Sequence, residues 1–167
     1  QNLKDPLQYM QFATDDNFPE ICELFKKNRK FFPHIRMSKI AGAIERKECI
    51  FMDGVVIIFK IHKRSVRIGN NTVSQKSDCN LNQIVSTAHD GSTSRVLNQF
   101  FDYIASVPEH SGLIYLNVRT ENDHAKKFYE RNGMDLIDKT SWSEGKIEGD
   151  VYRKMVKGNL EMFFATV

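Results

Sequence analysis

The chain has 167 residues, 41% of them hydrophobic and 27% charged, and carries a net charge of +3. These proportions exclude a disordered or collagen-like chain and fit one ordinary water-soluble domain. The longest apolar run, Val55 to Phe59, is far shorter than the roughly 20 residues of a membrane span, so no membrane partner is expected.

The first residues, QNLKDPLQYM, lack the basic-then-apolar order of a secretory leader, and Cys22, Cys49 and Cys79 form no CxxC pair. Reduced thiols and a cytoplasmic location are the expectation. Leu7 to Ala13 reads as a first strand. Thr14 can cap a helix running to about Lys27, with Pro19 near its start and Phe18, Ile21, Cys22, Leu24 and Phe25 on one face. The basic-aromatic segment RKFFPHIR leads to a second helix around Ser38 to Lys47. Glu48 to Met52 and Val55 to Arg64 read as strands around Asp53-Gly54, a strong hairpin signal. A polar loop near Gly69 to Ser77 precedes a strand at Cys79 to Ser86. A Gly/Ser/Thr loop then opens a helix from about Ser94 to Val107, which Pro108 stops.

Ile114 to Met134, IYLNVRTENDHAKKFYERNGM, is the most informative stretch. Ile114, Leu116 and Val118 alternate with Tyr115, Asn117 and Arg119, as in a strand with one face in a core. Asn122 stands at a helix N-cap, Ala125, Phe128 and Tyr129 share a helical face, and Gly133 stands where a left-handed C-cap is needed. Strands near Asp135 to Trp142 and Asp150 to Val156 follow. Strand, Arg119, then N-x-x-A-x-x-F-Y-E-x-x-G-M resembles the acyl-CoA-binding core of GNAT-family N-acetyltransferases. The element order β-α-α-β-β-β-α-β-α-β-β matches that family across nearly the whole chain.

The resemblance implies a single α/β domain over 1–167, with a core of about 7–157, a tail 158–167 and a mixed sheet of about seven strands with helices on both faces. It also implies acyl transfer from acetyl-CoA, or another acyl-CoA, to an amine. In the family a Q/R-x-x-G-x-G/A loop holds the cofactor pyrophosphate at a helix N-terminus, where backbone donors converge. Here that place is His89 to Arg95. Gly91 fits the first glycine, Thr93 replaces the second small residue, and Ala88 stands for the Gln or Arg. Ser92, Thr93, Ser94 and Arg95 offer further donors. Ile84 and Val85 are the candidates for pairing with the pantetheine arm, and both can equally be core residues. Asn122 is an N-cap with a possible cofactor contact.

Tyr129 is the candidate catalytic residue: by resemblance it acts as general acid toward the departing CoA thiolate. From spacing alone it reads as a core tyrosine with its hydroxyl at the rim. His34, His62, Asp78 and His89 are available as bases without a pattern that selects one. The five histidines form no metal-ligand motif, and no metal is expected.

The family's acceptor pocket is framed by the loop joining the first two helices and by the turn between the last two strands. Phe32, His34, Arg36 and Trp142 are the acceptor-binding candidates there; the alternative is a locally packed loop. Between Leu24 and Lys76 thirteen basic residues face three acidic ones, a net of +10 that leaves −7 for the rest. That asymmetry reads either as a solvated basic face or as a site for an anionic partner, nucleic acid included. The acceptor itself, small molecule or macromolecule, stays open, and the tail makes a homodimer one option. The competing reading is a GNAT-fold module that binds CoA or a partner without turnover, supported by the degenerate phosphate loop.

Overall fold

The computed structural model describes residues 10–87 and 90–157. A 3-10 turn, Asp15–Asn17, leads into helices α1 (Phe18–Lys27) and α2 (Met37–Glu45). Strands β1 (Cys49–Met52), β2 (Val55–Ile61), β3 (Val66–Arg67), β4 (Val73–Ser74) and β5 (Cys79–Ser86) follow. Helix α3 (Ser92–Ser106), strand β6 (Leu113–Arg119), helix α4 (Asp123–Arg131) and strands β7 (Asp135–Trp142) and β8 (Ile147–Met155) complete the order. Six strands form one sheet in the order β1-β2-β5-β6-β8-β7, and β3 with β4 forms a separate hairpin.

The expected mixed α/β architecture is therefore present. Leu7 to Ala13 begins outside the described residues; the part within them contributes a bridge from Phe12 to Ile50. The polar loop expected at Gly69 to Ser77 instead holds β4, paired to β3. Two-residue strands carry too little periodicity to register in a sequence. The tail 158–167, with Leu160, Met162, Phe163 and Phe164, lies outside the described residues, as do Ala88 and His89.

The chain forms two compact units. One comprises the residues up to Lys60 with Leu81–Ser106; the other comprises Ile61–Asn80 and the residues from Val107 on. In the first, β1 and β2 pair antiparallel around a turn in which Asp53 and Gly54 both take positive φ, +52° and +75°. Buried Ile21, Phe25, Ile40 and Ile44 of the two leading helices pack with Val56, Ile58 and Val85. The alternate residue Phe59 meets Phe100 of α3, ring centroids 5.0 Å apart. With both faces covered, β2 reads as a continuous apolar run. Each fully buried aliphatic or aromatic side chain contributes about 1.5–3 kcal/mol.

In the second unit β6 and β7 each pair antiparallel with β8. The sequence pattern placed Tyr115 on the outer face of β6, but it is buried, packed with Ile68 and Val151. Ile68 follows β3, and Asp138 of β7 fastens that hairpin by accepting from the Asn71 N–H at 2.8 Å and from the Thr72 hydroxyl. Gly69 permits the approach, since a Cβ there would collide with the Asp138 carboxylate. All three cysteines are buried free thiols, and burial pushes Cys49 up to about 12.

Candidate active site

Helix α4 is fixed at both ends by its own sequence. Asn122 Oδ1 accepts from the Ala125 N–H at 3.1 Å, the N-cap bond. At the far end Gly133 takes φ +82°. Its N–H donates to Glu130 O at 3.1 Å, and the Met134 N–H donates to Tyr129 O at 3.0 Å. That pair of bonds is a Schellman motif, which demands the left-handed residue that glycine supplies.

Tyr129 sits half-buried between Phe128, centroids 5.5 Å apart, and Tyr152, 6.2 Å apart. Burial raises its pKa to about 12, so the phenol keeps its proton through neutral pH. Among the described residues its hydroxyl has no hydrogen-bond partner. A tyrosine packed this way usually satisfies its hydroxyl. Tyr152 beneath it is the contrast: fully buried, its hydroxyl donates to Glu130 Oε2 at 2.6 Å. Burial first, then the hydrogen bond to Glu130 and its charge, push Tyr152 well above the ordinary tyrosine range.

The sequence reading missed the charged cluster that holds α4 down. Asp150, 0% exposed, lies opposite Val118 of β6 and Lys139 of β7. Its carboxylate pairs with Lys126 Nζ of α4 at 2.7 Å and Lys139 Nζ at 2.6 Å, and accepts from Thr120 Oγ1 at 3.0 Å. Burial pushes this carboxyl up, but the bonds from Lys126, Lys139 and Thr120 together outweigh it and hold it below the usual range. One anion thereby ties the helix bearing Tyr129 to the strands beneath.

At the start of α3, Gly91 takes φ +88°, and among the described residues other than its chain neighbours no atom lies within 4 Å of where a Cβ would stand. Ser92, Thr93, Ser94 and Arg95 form the first turn of the helix that follows. The helix begins two residues earlier than expected, and the Asp90 side chain closes an Asx turn onto its first residue. Asp90 Oδ1 accepts from the Ser92 N–H at 3.0 Å and from its hydroxyl. The Ser92 hydroxyl, then the Ser92 N–H, hold the Asp90 carboxyl below the usual range. The Asp90 carboxylate thus occupies both the N–H and the hydroxyl of Ser92. Arg95 lies 3.3 Å from Ser92 Oγ and 3.7 Å from Asp53.

Val85 points into the core beside α1 and α2, and Ile84 is half-exposed on the alternate face of β5. Pairing of β5 with β6 is registered at Cys79–Ile114 and Asn80–Tyr115, at the start of both strands. Phe32 stands edge-on to Phe25 at 5.2 Å and so belongs partly to the core, while His34 and Arg36 are exposed. Those three lie in the first unit and Trp142 in the second, where its ring lies over Gly149. Of the candidate bases, His62 and Asp78 are buried and engaged. His62 Nδ1 is 3.3 Å from Ser74 Oγ, and Asp78 accepts from the Ser111 hydroxyl at 2.6 Å and the Gln75 N–H at 2.7 Å. His89 lies outside the described residues. Among the described residues no cluster of ligating side chains could hold a metal ion.

No protein-family model and no curated protein matches the sequence. Solved structures match in shape. Naa50 of Arabidopsis thaliana, solved with the bisubstrate analogue CoA-Ac-MVNAL, aligns over 87% of this chain and 96% of its own, with a TM-score of 0.62 and 20% identity. Ard1 from Thermoplasma volcanium aligns over 89% and 97%, with a TM-score of 0.67 and 12% identity. A GNAT-family acetyltransferase from Bacillus cereus gives 87% and 95%, 0.62 and 13%. The chain has the GNAT acetyltransferase fold. Nearly the full length of each GNAT neighbour is matched, so the likeness extends well beyond the strand and helix around Tyr129.

Proposed function

We propose that this chain is an acyl-CoA-dependent N-acyltransferase, a single domain that moves acetyl, or a related acyl group, from its CoA thioester to an amine. The observation that carries the reading is Tyr129: a protonated, half-buried phenol without a protein partner among the described residues, on a doubly capped helix of a GNAT fold. The Naa50 complex, with CoA in its ligand, supports acyl-CoA as the donor.

The thioester supplies the activated acyl group. A neutral amine attacks its carbonyl, the carbon–sulfur bond breaks, and the amine proton leaves to water. Tyr129 Oη donates a hydrogen bond to the departing sulfur, which lowers the barrier because a thiolate leaves more readily when its charge is neutralised. The Ser92-to-Arg95 turn, with open Gly91 before it, receives the pyrophosphate once Asp90 yields the Ser92 donors. Leu81 to Ser86 of β5, Ile84 and Val85 included, is assigned to the pantetheine arm as an added strand would pair. Asn122 is assigned to the helix cap first. For the acceptor, exposed His34 and Arg36 are the assigned contacts; Phe32 and Trp142 give part of their surface to Phe25 and Gly149.

A second reading, a CoA-binding or partner-binding module without turnover, is favoured by one observation: the Asp90 carboxylate on Ser92. Thermal melting with acetyl-CoA and with CoA, followed by thiol release across an amine panel, tests both. Ligand at 100 times its dissociation constant adds about 2.7 kcal/mol, roughly 5–10 °C for a chain of this size. Absence of a shift at millimolar ligand would refute acyl-CoA binding. A shift without thiol release over a broad panel would favour the module.

A further inference from the structure

We propose that the recess between the β3–β4 loop and the end of β7 binds a small phosphate ester, at a site separate from the one around Tyr129. It has a volume of about 520 Å³ and is lined by Arg67, Ile68, Gly69, Asn70, Thr140 and Ser141. None of the residues assigned to acyl-CoA or to the acceptor lines it. Its place on the sheet keeps it apart from α4. Val151 of β8 packs with Ile68 on one face, while the next residue, Tyr152, turns the other way to meet Tyr129. A ligand held here therefore lies across the sheet from the Tyr129 ring.

The lining side chains supply a guanidinium, an amide and two hydroxyls, and no carboxylate. Among the described residues the side chains of Asn70, Thr140 and Ser141 have no hydrogen-bond partner. Asp138, beside Gly69, is spent on its own surroundings. Its carboxylate accepts from the Asn71 N–H at 2.8 Å, the Lys139 N–H at 2.7 Å and the Thr72 hydroxyl. Those bonds, with the Asn70 N–H donating to Lys139 O at 2.8 Å, pin the loop to β7. Arg67 Nη1 donates to Asn70 O at 3.1 Å, which holds the guanidinium across the loop with its other N–H groups unspent. A site fixed in this way loses little freedom when it binds. The charge around it has one sign: from Gly54 to Ser77 the sequence has five basic residues and no acid. Lys63, Arg64, Arg67 and Lys76 are exposed, and among the described residues none forms an ion pair. The local potential is therefore positive. A phosphate ester presents three free oxygens to such a donor set, where a carboxylate presents two. Ile68 and Gly69, both buried, give the recess an apolar wall, and its volume leaves room for a compact organic body beyond the phosphate. The inference concerns binding alone and stands whether or not the chain transfers acyl groups.

The test is an amide NMR titration of the full chain with four probes: glycerol phosphate, inorganic phosphate, acetate and single-stranded DNA. Glycerol phosphate should give saturable shifts at the Ile68, Gly69, Asn70, Thr140 and Ser141 amides and bind more tightly than the other three. Arg67→Gln should weaken it roughly tenfold or more, the worth of a charged hydrogen bond, with an unchanged melt. Arg67→Lys should recover only part of that loss, because an ammonium keeps the charge without the planar fork. Should Arg67→Gln melt early, Thr140→Val with Ser141→Ala must weaken glycerol phosphate instead. No saturable shift at those amides, or shifts confined to the Ser92 turn, would overturn the proposal. So would equal or tighter binding of inorganic phosphate, acetate or DNA, or full affinity in a folded Arg67→Gln variant.

Discussion

Replacing Tyr129 with Phe removes one hydroxyl and leaves the ring between Phe128 and Tyr152. Because that hydroxyl has no partner among the described residues, its loss leaves no buried group orphaned. The stability change should stay below about 1 kcal/mol, a melting shift of no more than about 4 °C. Turnover should fall by roughly 10²–10⁴, about 3–5.5 kcal/mol of activation free energy. The affinity for acyl-CoA, read as the ligand-induced melting shift, should be unchanged. A pKa raised to about 12 adds a pH signature. Up to about pH 10 the wild-type rate should show no falling limb from loss of this proton, because deprotonation begins only above that. The assay is thiol release at saturating acyl-CoA, with a melt on the same sample. Turnover within a few-fold of wild type, with the fold intact, would remove Tyr129 from the mechanism.

Asp150→Ala leaves Lys126 and Lys139 facing one another without their shared anion and should destabilise the protein by ~3 kcal/mol, or about 6–12 °C, in a thermal melt. Its folded pKa is depressed, so the stability it adds is complete above the unfolded value of about 4 and is lost as pH falls through the folded value. Wild-type and variant stabilities should therefore converge in acid, and a gap constant with pH would contradict the assignment. Asp90→Ala frees the Ser92 N–H and hydroxyl and should enlarge the melting shift with acyl-CoA; a smaller shift would mean that the carboxylate shapes the site instead of competing for it. Asn122→Ala should cost about 1 kcal/mol and speed hydrogen exchange at the Ala125 amide, and an unchanged exchange rate there would show that the cap bond is dispensable.

What the sequence disclosed divides along a physical line. Capping and turn chemistry act over a few residues. The Asn122 cap, the Gly133 stop and the Asp53-Gly54 turn were therefore readable, and all three stand in the structure. Long periodic elements such as β7 and α3 were readable for the same reason, with α3 shifted by two residues where Asp90 reaches Ser92. The burial of Tyr115 was not readable, since it depends on Ile68 and Val151 from distant parts of the chain. Nor was the Asp150 cluster: Lys126, Lys139 and Asp150 are each unremarkable alone, and only the β6–β8–β7 register and α4 bring them together. The motif pointed to Tyr129 and, separately, to Gly91, but carried no trace of Asp90 occupying the Ser92 donors.

The burial of the three thiols has a practical consequence. A protein whose cysteines are all buried should react slowly with an aromatic disulfide reagent, so colour in such an assay reports released CoA with little background. The same enclosure turns each sulfur into a clock. Cys22 and Cys49 lie in the first compact unit and Cys79 in the second. Under native conditions Cys49 and Cys79, 0% and 1% exposed, can be labelled only when their own surroundings open. Two labelling rates would mean that the halves breathe independently, and ligand added to the solution would reveal which half it holds shut.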